Sequence, residues 1–449
     1  MSLNISRILH AGYIFECKDF KIAFDPIFEN PFSHNCYAFP NVQFNYEEIK
    51  KLKFDAIFIS HFHDDHCSLE SIALFNRRTP IYLYCVHENL FSIIKELGFE
   101  NVYSLKLNTP VTIGAIEVIP LRALDFDVDS IFHIKAANLN ILNVVDSWID
   151  PETINKLKKT NVWDIVLWPF QTMRELEVLA PSRAARPSFE LPIEWIEQLK
   201  FLNPRYIVPS SCQFIHESWS WYNQFLFPIS YKDFEQQINH ILPKTKVIRM
   251  NPSVGIYLDK DSLEYSKSLT WVEPIGDQNI DYNFNPSLQI PTCAEVAQHF
   301  DSLNQKQIDQ VHHFCQSEII KKYMTLEMSS EKYFTKPRLW RLSLYDHNGE
   351  VQQFHYKINC EHIELTFEIS EPLSWITEVP LSKLYSALYS GETLTSMYIR
   401  VNDTLFNPEI EKELQSVDPF EDPLIRCLFN GNFAAYQEAQ LKRILAETE

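Results

Sequence analysis

The residues best suited to chemistry in this chain stand together in the stretch ISHFHDDHCS, residues 59–68. Three of the chain's 15 histidines and two aspartates fill five of the six positions from His61 to His66. Imidazole and carboxylate groups are common protein ligands of transition metals. This density of ligand types predicts a metal site.

The element before this motif determines how its side chains are presented. The apolar run DAIFIS, residues 55–60, predicts a buried strand that ends at the histidines. In an extended segment residues two apart point the same way, so His61 and His63 can bind one ion. Asp65 and His66 then turn toward the next helix and can bind a second ion. Two ions about 3.5–4 Å apart can activate whatever binds between them, so we expect a two-metal centre rather than a solvated polar loop.

The first 260 residues alternate short strands with helical stretches, which predicts an α/β architecture with buried sheets. The motif then lies on a loop at the carboxyl end of a strand, where α/β folds place their sites. Predicted strands lie at 22–24, 55–60, 81–84, 164–170 and 205–211, predicted hairpins at 111–119 and 131–147, and predicted helices at 88–99 and 193–203.

Bulk composition limits the classes of function. The net charge of −19 argues against nucleic-acid partners and against anionic membranes. No apolar run approaches the roughly 20 residues that span a bilayer, and the chain opens directly on a predicted strand, so we expect a cytoplasmic protein. The nine cysteines form no CxxC pair, which fits a reducing compartment. The sequence has neither a GxGxxG nor a Walker phosphate loop.

A domain boundary is predicted near the polar, proline-containing segment 263–294. Residues 1–262 are then the metal-binding catalytic domain, 263–294 a linker, and 295–449 a separate α+β domain. Within the last part, Asn348-Gly349 predicts the turn of a hairpin, and 381–391 predicts a helix that ends at a glycine.

The pattern His61-x-His63-x-Asp65-His66 resembles that of the metallo-β-lactamase superfamily, whose fold is an αβ/βα sandwich with the metals at one edge. The segments LHAGYIFE and KIAFDPIF, within 9–28, are similar to the opening of one branch. That branch includes ascorbate-phosphate lactonases, N-acyl-phosphatidylethanolamine phospholipase D and CMP-N-acetylneuraminate hydroxylase. The resemblance implies that His10 and Asp25 lie near the metals and orient their ligands.

The hydroxylase of this branch is the family that residues 1–260 resemble most. ILNVVDSW, residues 141–148, is similar to the strand that ends in the bridging aspartate, which implies that Asp146 is shared by both ions. Asp65 and Asp146 are accordingly the predicted catalytic residues. The two spaced cysteine and histidine pairs of the Rieske iron–sulfur module of that family are not found in the sequence, because Cys85 and His87 lack a second pair at metal spacing.

Two positions depart from the superfamily pattern. A histidine usually completes the first ion's ligands, but the corresponding stretch, LRALDFDVDSIF at 121–132, has none. By this resemblance Asp125 takes its place, with Asp127 as the alternative. The last histidine ligand is missing from its usual turn, and His216, a few residues later, either binds the second ion or has a surface or substrate-facing role.

The implied ligand set is richer in carboxylate than that of a zinc hydrolase. Oxygen-rich ligand sets suit iron or manganese, whereas zinc favours nitrogen and sulfur. A carboxylate in place of the histidine also resembles the diiron β-hydroxylase branch of the superfamily. We therefore predict two metal ions per chain, iron first, with zinc or manganese as alternatives. The implied ligands are His61, His63, Asp65, His66, Asp125, Asp146 and His216.

The predicted function is hydroxylation or oxidation of a small molecule with O2, with electrons from a separate reductase or ferredoxin. The alternative is hydrolysis of a lactone, amide or phosphodiester by a hydroxide that bridges two ions. A third interpretation is a binding or scaffold protein with a degenerate metal site, which the intact motif argues against.

The stretch 171–190 carries three arginines beside a predicted strand and is either a binding segment or a solvated connection. Arg174 is the predicted substrate-binding residue, because an arginine can bind an anionic group with two hydrogen bonds. The C-terminal domain has a faint resemblance to sterol-carrier-like domains of some relatives. Homodimer formation and capping of the active site are alternative roles for it.

Overall fold

The computed structural model describes residues 2–159, 162–170, 173–327, 332–369, 372–405, 408–414, 417–430 and 434–448. The chain forms two compact units. Unit 1 comprises Met1–Met173, Pro187–Phe284 and Gln440–Glu449, and unit 2 comprises Arg174–Arg186 and Asn285–Ala439. The sequence-based boundaries of independently folding domains, 1–262 and 295–449, stay a prediction. Gln171 and Thr172, which open the stretch 171–190, lie outside the described residues.

Unit 1 is built from short strands, most of them five residues or fewer. They are β1 (Leu3–Arg7), β2 (Tyr13–Cys17), β3 (Phe20–Phe24), β4 (Tyr37–Ala38), β5 (Val42–Phe44), β6 (Ala56–Ile59), β7 (Ile81–Leu83), β8 (Val102–Ser104), β9 (Val111–Ile113), β10 (Ile116–Arg122), β11 (Ser130–Ala136), β12 (Leu139–Asn143), β13 (Ile165–Pro169), β14 (Tyr206–Ser210), β15 (Phe214–Ile215), β16 (Lys246–Val247), β17 (Gly255–Leu258), β18 (Leu263–Tyr265) and β19 (Val272–Pro274).

The helices of unit 1 lie mainly in the connections between parallel strands. They are α1 (Tyr46–Ile49), α2 (Leu69–Ile72), α3 (Glu88–Glu96), α4 (Pro151–Leu157), α5 (Ile193–Leu202) and α6 (Tyr231–Ile241). Helix α4 begins at the side chain of Asp150, which accepts hydrogen bonds from two backbone amides of its first turn. Helix α5 ends at Asn203, which has the left-handed conformation typical of a helix end.

Two sheets form the frame of unit 1. The first has the strand order β18-β17-β1-β2-β3-β6-β7-β8, and the second has the order β16-β14-β13-β12-β11-β10-β9. In both sheets an antiparallel part continues into a parallel part, from β3 through β6, β7 and β8, and from β12 through β13, β14 and β16. Parallel neighbours need crossover connections, which explains the helices between them.

The two sheets share one hydrophobic core. It takes Phe15, Phe24 and Phe58 from the first sheet and Val118 and Ile141 from the second, all of them fully buried. Because the inner faces of the sheets meet in this core, the crossover helices cover the outer faces. The unit is therefore an αβ/βα sandwich, as the resemblance implied.

The predicted strands and helices of this unit are confirmed. Strands β6, β13 and β14 are buried at every position, which explains why their sequences are continuous apolar runs rather than alternating ones. The predicted helix at 88–99 is α3, and the one at 193–203 is α5.

Unit 2 is an α+β unit with its own core, to which Trp340, Tyr356 and Trp375 contribute fully buried rings. Its sheet has the order β22-β21-β20-β23-β24. The strands are β20 (Arg338–Tyr345), β21 (Val351–Ile358), β22 (Ile363–Leu365), β23 (Trp375–Pro380) and β24 (Arg400–Val401). The predicted hairpin is the pair β20 and β21, and its turn contains Gly349 with a φ of 79°.

The helices that accompany this sheet include one long helical stretch with a π-helical segment, Phe314–Glu318, in its middle. The helices are α7 (Cys293–Ala297), α8 (Gln305–His313), α9 (Ile319–Thr325), α10 (Leu381–Tyr389), α11 (Pro408–Leu414) and α12 (Pro423–Phe429). Helix α13 (Ala435–Thr448) begins in unit 2, but its residues from Gln440 onward belong to unit 1. The predicted helix at 381–391 is α10. Among the described residues no helix combines the length and the apolar character needed to cross a bilayer.

Candidate metal centre

Five chain segments bring titratable side chains to one edge of the unit 1 sandwich. Ser60 and the predicted motif follow β6, and Asp25 follows the neighbouring parallel strand β3. His10 lies in the turn between β1 and β2, and Asp146 follows β12. Asp129 directly precedes β11, which pairs with β12. Strand pairing places His10, Asp25 and the motif together in the first sheet and Asp129 and Asp146 together in the second. The shared core of the two sheets then brings both sets to one edge.

The first group of metal-ligand atoms consists of His10, Asp65, His66 and Asp146, and one ligand atom from each lies within 4.8 Å of the others. His66 Nε2 is 3.0 Å from Asp146 Oδ2 and 3.3 Å from His10 Nε2. Asp65 Oδ2 is 3.1 Å from His10 Nε2. Two imidazoles and two carboxylates thus converge on one point.

The second group consists of His61, His63 and Asp129. His61 Nε2 is 2.9 Å from His63 Nδ1 and 3.7 Å from Asp129 Oδ1. The hydroxyl of Ser147 donates to Asp129 Oδ2 at 2.8 Å, which fixes the carboxylate with Oδ1 toward the histidines. This group contains two imidazoles and one carboxylate.

The donor atoms of both groups fit a metal ion. Bonds of about 2.0–2.2 Å place neighbouring ligands roughly 2.8–3.6 Å apart, which is close to the spacings in both groups. Oδ1 of Asp129 and Oδ1 of Asp146 are buried and have no hydrogen-bond partner within the described part of the chain. A buried carboxylate oxygen without a partner is costly, and a bound cation would remove that cost.

A hydrogen-bond network behind the ligands orients both groups. The buried Asp25 carboxylate accepts from Ser60 N and Ser60 Oγ, both at 2.7 Å, and lies 3.1 Å from His66 Nδ1. Ser60 Oγ is also 2.9 Å from Nδ1 of His61. Because the Ser60 hydroxyl donates to Asp25, it accepts from His61. Asp25 therefore holds both histidines in the tautomer that leaves Nε2 free for a metal.

The buried Arg7 side chain fixes the position of His10. Its guanidinium donates to the His10 carbonyl, at 3.1 Å from Nε, and to the carbonyls of Pro209 at 2.9 Å and Met250 at 3.1 Å. His10 has a φ of 51°, a conformation that costs free energy in a non-glycine residue. Arg7 thus stabilises the turn that directs the His10 ring toward Asp65 and His66.

Burial and neighbouring charges shift the pKa values of the first group in opposite directions. Burial lowers the pKa of His66, but the Asp146 and Asp65 carboxylates outweigh it and hold that pKa well above its ordinary value. Burial raises the pKa of Asp146, but His66 outweighs it and holds that pKa well below its ordinary value. The metal-free site thus holds a proton on His66.

In the second group burial dominates. It lowers the pKa of His61 to about 4, with a further contribution from His66. Burial and then the Asp146 carboxylate raise the pKa of Asp129 to about 6. Asp146 therefore acts electrostatically on both groups, and its role as a bridge between two ions stays a prediction.

The predicted residues that the structure brings together are His61, His63, Asp65, His66 and Asp146, with Asp25 behind them. His10, predicted to orient ligands, has its Nε2 among the ligand atoms themselves.

Asp125 and Asp127 are not brought into either group; both are exposed. Asp129 N donates to the Asp125 carbonyl at 2.7 Å, so 125–129 forms a single turn that presents Asp129 and not Asp125. Asp129 was missed by the sequence analysis, although its place directly before a strand was an available signal.

Two further predicted residues lie elsewhere. His216 is buried against Phe214 and Tyr222 and belongs to neither group of ligand atoms among the described residues. Arg174 lies in unit 2, where it donates to the Ala185 carbonyl at 2.6 Å. Its predicted contact with a substrate stays a prediction.

Comparison with known proteins gives likeness in structure only. No protein-family model matches the sequence, and no curated protein matches it. Similar solved structures include Igni18, a metallo hydrolase from Ignicoccus hospitalis, at 17% identity over 58% of this chain and 99% of that one, with a TM-score of 0.39. CmlA, a diiron β-hydroxylase from Streptomyces venezuelae, has 15% identity over 57% of this chain and 53% of its own length, with a TM-score of 0.39.

The metallo-β-lactamase fold protein YhfI from Bacillus subtilis is also similar, at 11% identity over 57% of this chain and all of that one, with a TM-score of 0.40. Likeness of this degree carries no argument about activity, substrate or metal. The superfamily resemblance instead agrees with the αβ/βα sandwich and with the HxHxDH loop at its edge. The narrower branch stays a prediction.

Proposed function

We propose that this protein is a dinuclear non-haem iron enzyme that oxidises a small organic substrate with O2. The observation that carries the proposal is the second group of ligand atoms, two imidazoles from His61 and His63 and one carboxylate from Asp129. Two histidines and one carboxylate hold Fe(II) in non-haem iron oxygenases, and the same set also holds catalytic zinc. The first group adds two carboxylates and two imidazoles, and the three carboxylates of the two groups together favour iron over zinc.

When bound, a pair of iron ions supplies redox chemistry with O2 that amino-acid side chains do not provide. The protein's contribution is ligation, orientation and exclusion of water. Asp25 and Ser60 hold the imidazoles of His61 and His66 with Nε2 free. The burial of His61 and His66 keeps bulk water away from the ligands.

Hydroxylation with O2 puts one oxygen atom into the substrate and reduces the other to water, which consumes two electrons from an external donor. The sequence has no Rieske module, so the proposal includes a separate reductase or ferredoxin as a partner.

The test is elemental analysis of protein expressed and purified without oxygen, followed by an absorption spectrum on exposure to air. The proposal predicts about two irons per chain and a new charge-transfer band. The matched control is the double variant His61→Ala/His63→Ala, which should keep less iron and give a weaker band. Colourless protein with two zinc ions per chain would contradict the proposal and would support the alternative, a hydrolase that uses a metal-bound hydroxide.

A further inference from the structure

Exposed apolar side chains lie on three loops, 60–68, 84–88 and 122–130, next to the second group of ligand atoms. Val86 is 53% exposed, Leu124 52% and Phe126 37%. Phe62, between the ligands His61 and His63, is half-buried. We call Phe62, Val86, Leu124 and Phe126 the apolar rim.

Direct contacts connect the three loops. The Phe62 ring lies 5.2 Å from the ring of the ligand His63 and 5.6 Å from the ring of His87. The hydroxyl of Tyr84 donates to the Phe126 carbonyl at 2.5 Å. Val86 lies in the chain between Tyr84 and His87, so the segment 84–87 contacts both the Phe62 ring and the loop that carries Phe126.

The apolar rim adjoins the metal ligands at Phe62 and at Phe126. Phe62 is covalently next to two of them, and Phe126 lies inside the turn 125–129 that ends at Asp129. The apolar rim therefore lies beside the second group of ligand atoms. Large apolar side chains left exposed together are costly in water and commonly mark a binding surface.

The charges of the same loops oppose an anionic ligand. In the loops 60–68, 84–88 and 122–130 the single arginine or lysine is Arg122. Its Nε is 3.3 Å from an Asp150 oxygen, and its guanidinium covers the Phe126 ring at 3.9 Å. The same loops carry four acidic residues that are not ligand atoms of either group: Asp64, Glu88, Asp125 and Asp127. These four carboxylates disfavour an anionic group at the rim, and the Arg122 cation is already paired with Asp150.

We propose that the apolar rim binds an uncharged aromatic or aliphatic group of the substrate while the reacting atom lies at the ions. This inference rests on the proposed function and specifies the substrate class. It distinguishes an apolar substrate from sugar acids and phosphate esters, whose negative charge the rim would repel.

The test uses hydroxamates, which bind metal ions through two oxygens and carry a variable group. Dissociation constants of acetohydroxamate, benzohydroxamate and 4-carboxybenzohydroxamate are measured by calorimetry on the Zn²⁺-loaded protein. Partial burial of a phenyl ring should make benzohydroxamate bind about tenfold more tightly than acetohydroxamate. The added carboxylate should remove most of that gain.

Variants locate the effect. Leu124→Ser/Phe126→Ser should abolish the preference for benzohydroxamate while acetohydroxamate still binds, and Val86→Ser, on another loop, should reduce it. The matched control is Phe201→Ser, because Phe201 is 40% exposed and also lies under a cation, Lys158. It should leave the preference unchanged.

The outcomes separate the two proposals. If acetohydroxamate itself does not bind, the metal centre is wrong and both proposals fall. If it binds but the phenyl ring adds nothing, or if the carboxylated probe binds most tightly, the apolar rim alone is overturned. Equal loss of the preference in Phe201→Ser and in the rim variants would also overturn it.

Discussion

Replacing Asp25 by asparagine should weaken the binding of both metal ions, although Asp25 need not touch either. The carboxylate accepts two hydrogen bonds from Ser60 and faces Nδ1 of His66. Asparagine has nearly the same volume but replaces one acceptor oxygen with an NH2 group. If the NH2 group of the new asparagine faces His66, Nδ1 of His66 must accept its hydrogen bond. The ring proton of His66 then lies on Nε2, the atom that should bind the metal.

The size of the effect follows from the bonds that change. A hydrogen bond to a charged group contributes about 1.5–3 kcal/mol, and one such bond to a metal-ligating histidine is lost. Loss of an outer partner of this kind typically lowers metal affinity 10–100-fold, or about 1.4–2.7 kcal/mol. The Ser60 hydroxyl connects Asp25 to Nδ1 of His61, so the affinity for the second ion should also fall, by less than the affinity for the first.

The assay is competition with a chelator of known affinity, which gives a dissociation constant for each ion. The control is Asp55→Asn, because Asp55 lies at the other end of β6 and also accepts a backbone hydrogen bond, from Lys21 N at 2.8 Å. Unchanged constants for both ions in Asp25→Asn, or an equal loss in Asp55→Asn, would refute the reasoning.

Three further predictions concern other parts of the molecule. Asp129→Ala should reduce the tightly bound ions from two per chain to one, whereas Asp125→Ala should leave two. Elemental analysis after dialysis counts the ions. One ion in Asp125→Ala and two in Asp129→Ala would contradict this and would support Asp125 as the ligand. Metal binding at pH 7 should release at least one proton, because the neighbouring carboxylates raise the pKa of His66 and the ion must displace the proton of that ring. Metal affinity should therefore rise with pH up to the pKa of His66. Calorimetry in two buffers of different ionisation enthalpy measures the proton release, and identical heats in both buffers would contradict it. Asp422→Ala in unit 2 should lower the free energy of unfolding by about 3–4 kcal/mol, because the buried carboxylate starts helix α12 and accepts a hydrogen bond from the indole of Trp375 at 2.7 Å. Urea unfolding measures this loss. In the control, Asp418→Ala, the exposed carboxylate caps only the short 3-10 turn Pro419–Glu421, and the free energy of unfolding should fall by less than about 1 kcal/mol.

Local patterns in the sequence sufficed for the frame of the site. The apolar run before His61 is continuous because β6 is buried on both faces, and this pattern is visible without neighbours in space. Strand β12, before Asp146, is buried at four of its five positions but has the sequence LNILN, so Asp146 was indicated by the family resemblance and not by an apolar run. The structure brings the residues at the ends of both strands together, and their role as ligands stays a prediction.

The remaining ligand atoms depend on contacts that the sequence does not reveal. Asp125, Asp127 and Asp129 alternate, so an extended chain would present all three alike, and only the turn closed by the hydrogen bond from Asp129 N to the Asp125 carbonyl selects Asp129. His10 is directed by Arg7, whose other partners are carbonyls more than 200 residues away. Such long-range contacts appear only in the folded chain.

The central claim is that two groups of side chains at the sandwich edge each hold one metal ion. Equilibrium titration of metal-free protein with Fe²⁺ under anaerobic conditions, read by elemental analysis, tests it most directly. The account predicts saturation at two ions per chain in the wild type and at one in His61→Ala/His63→Ala. Saturation at no ion, or the same number of ions in the wild type and the double variant, would contradict it.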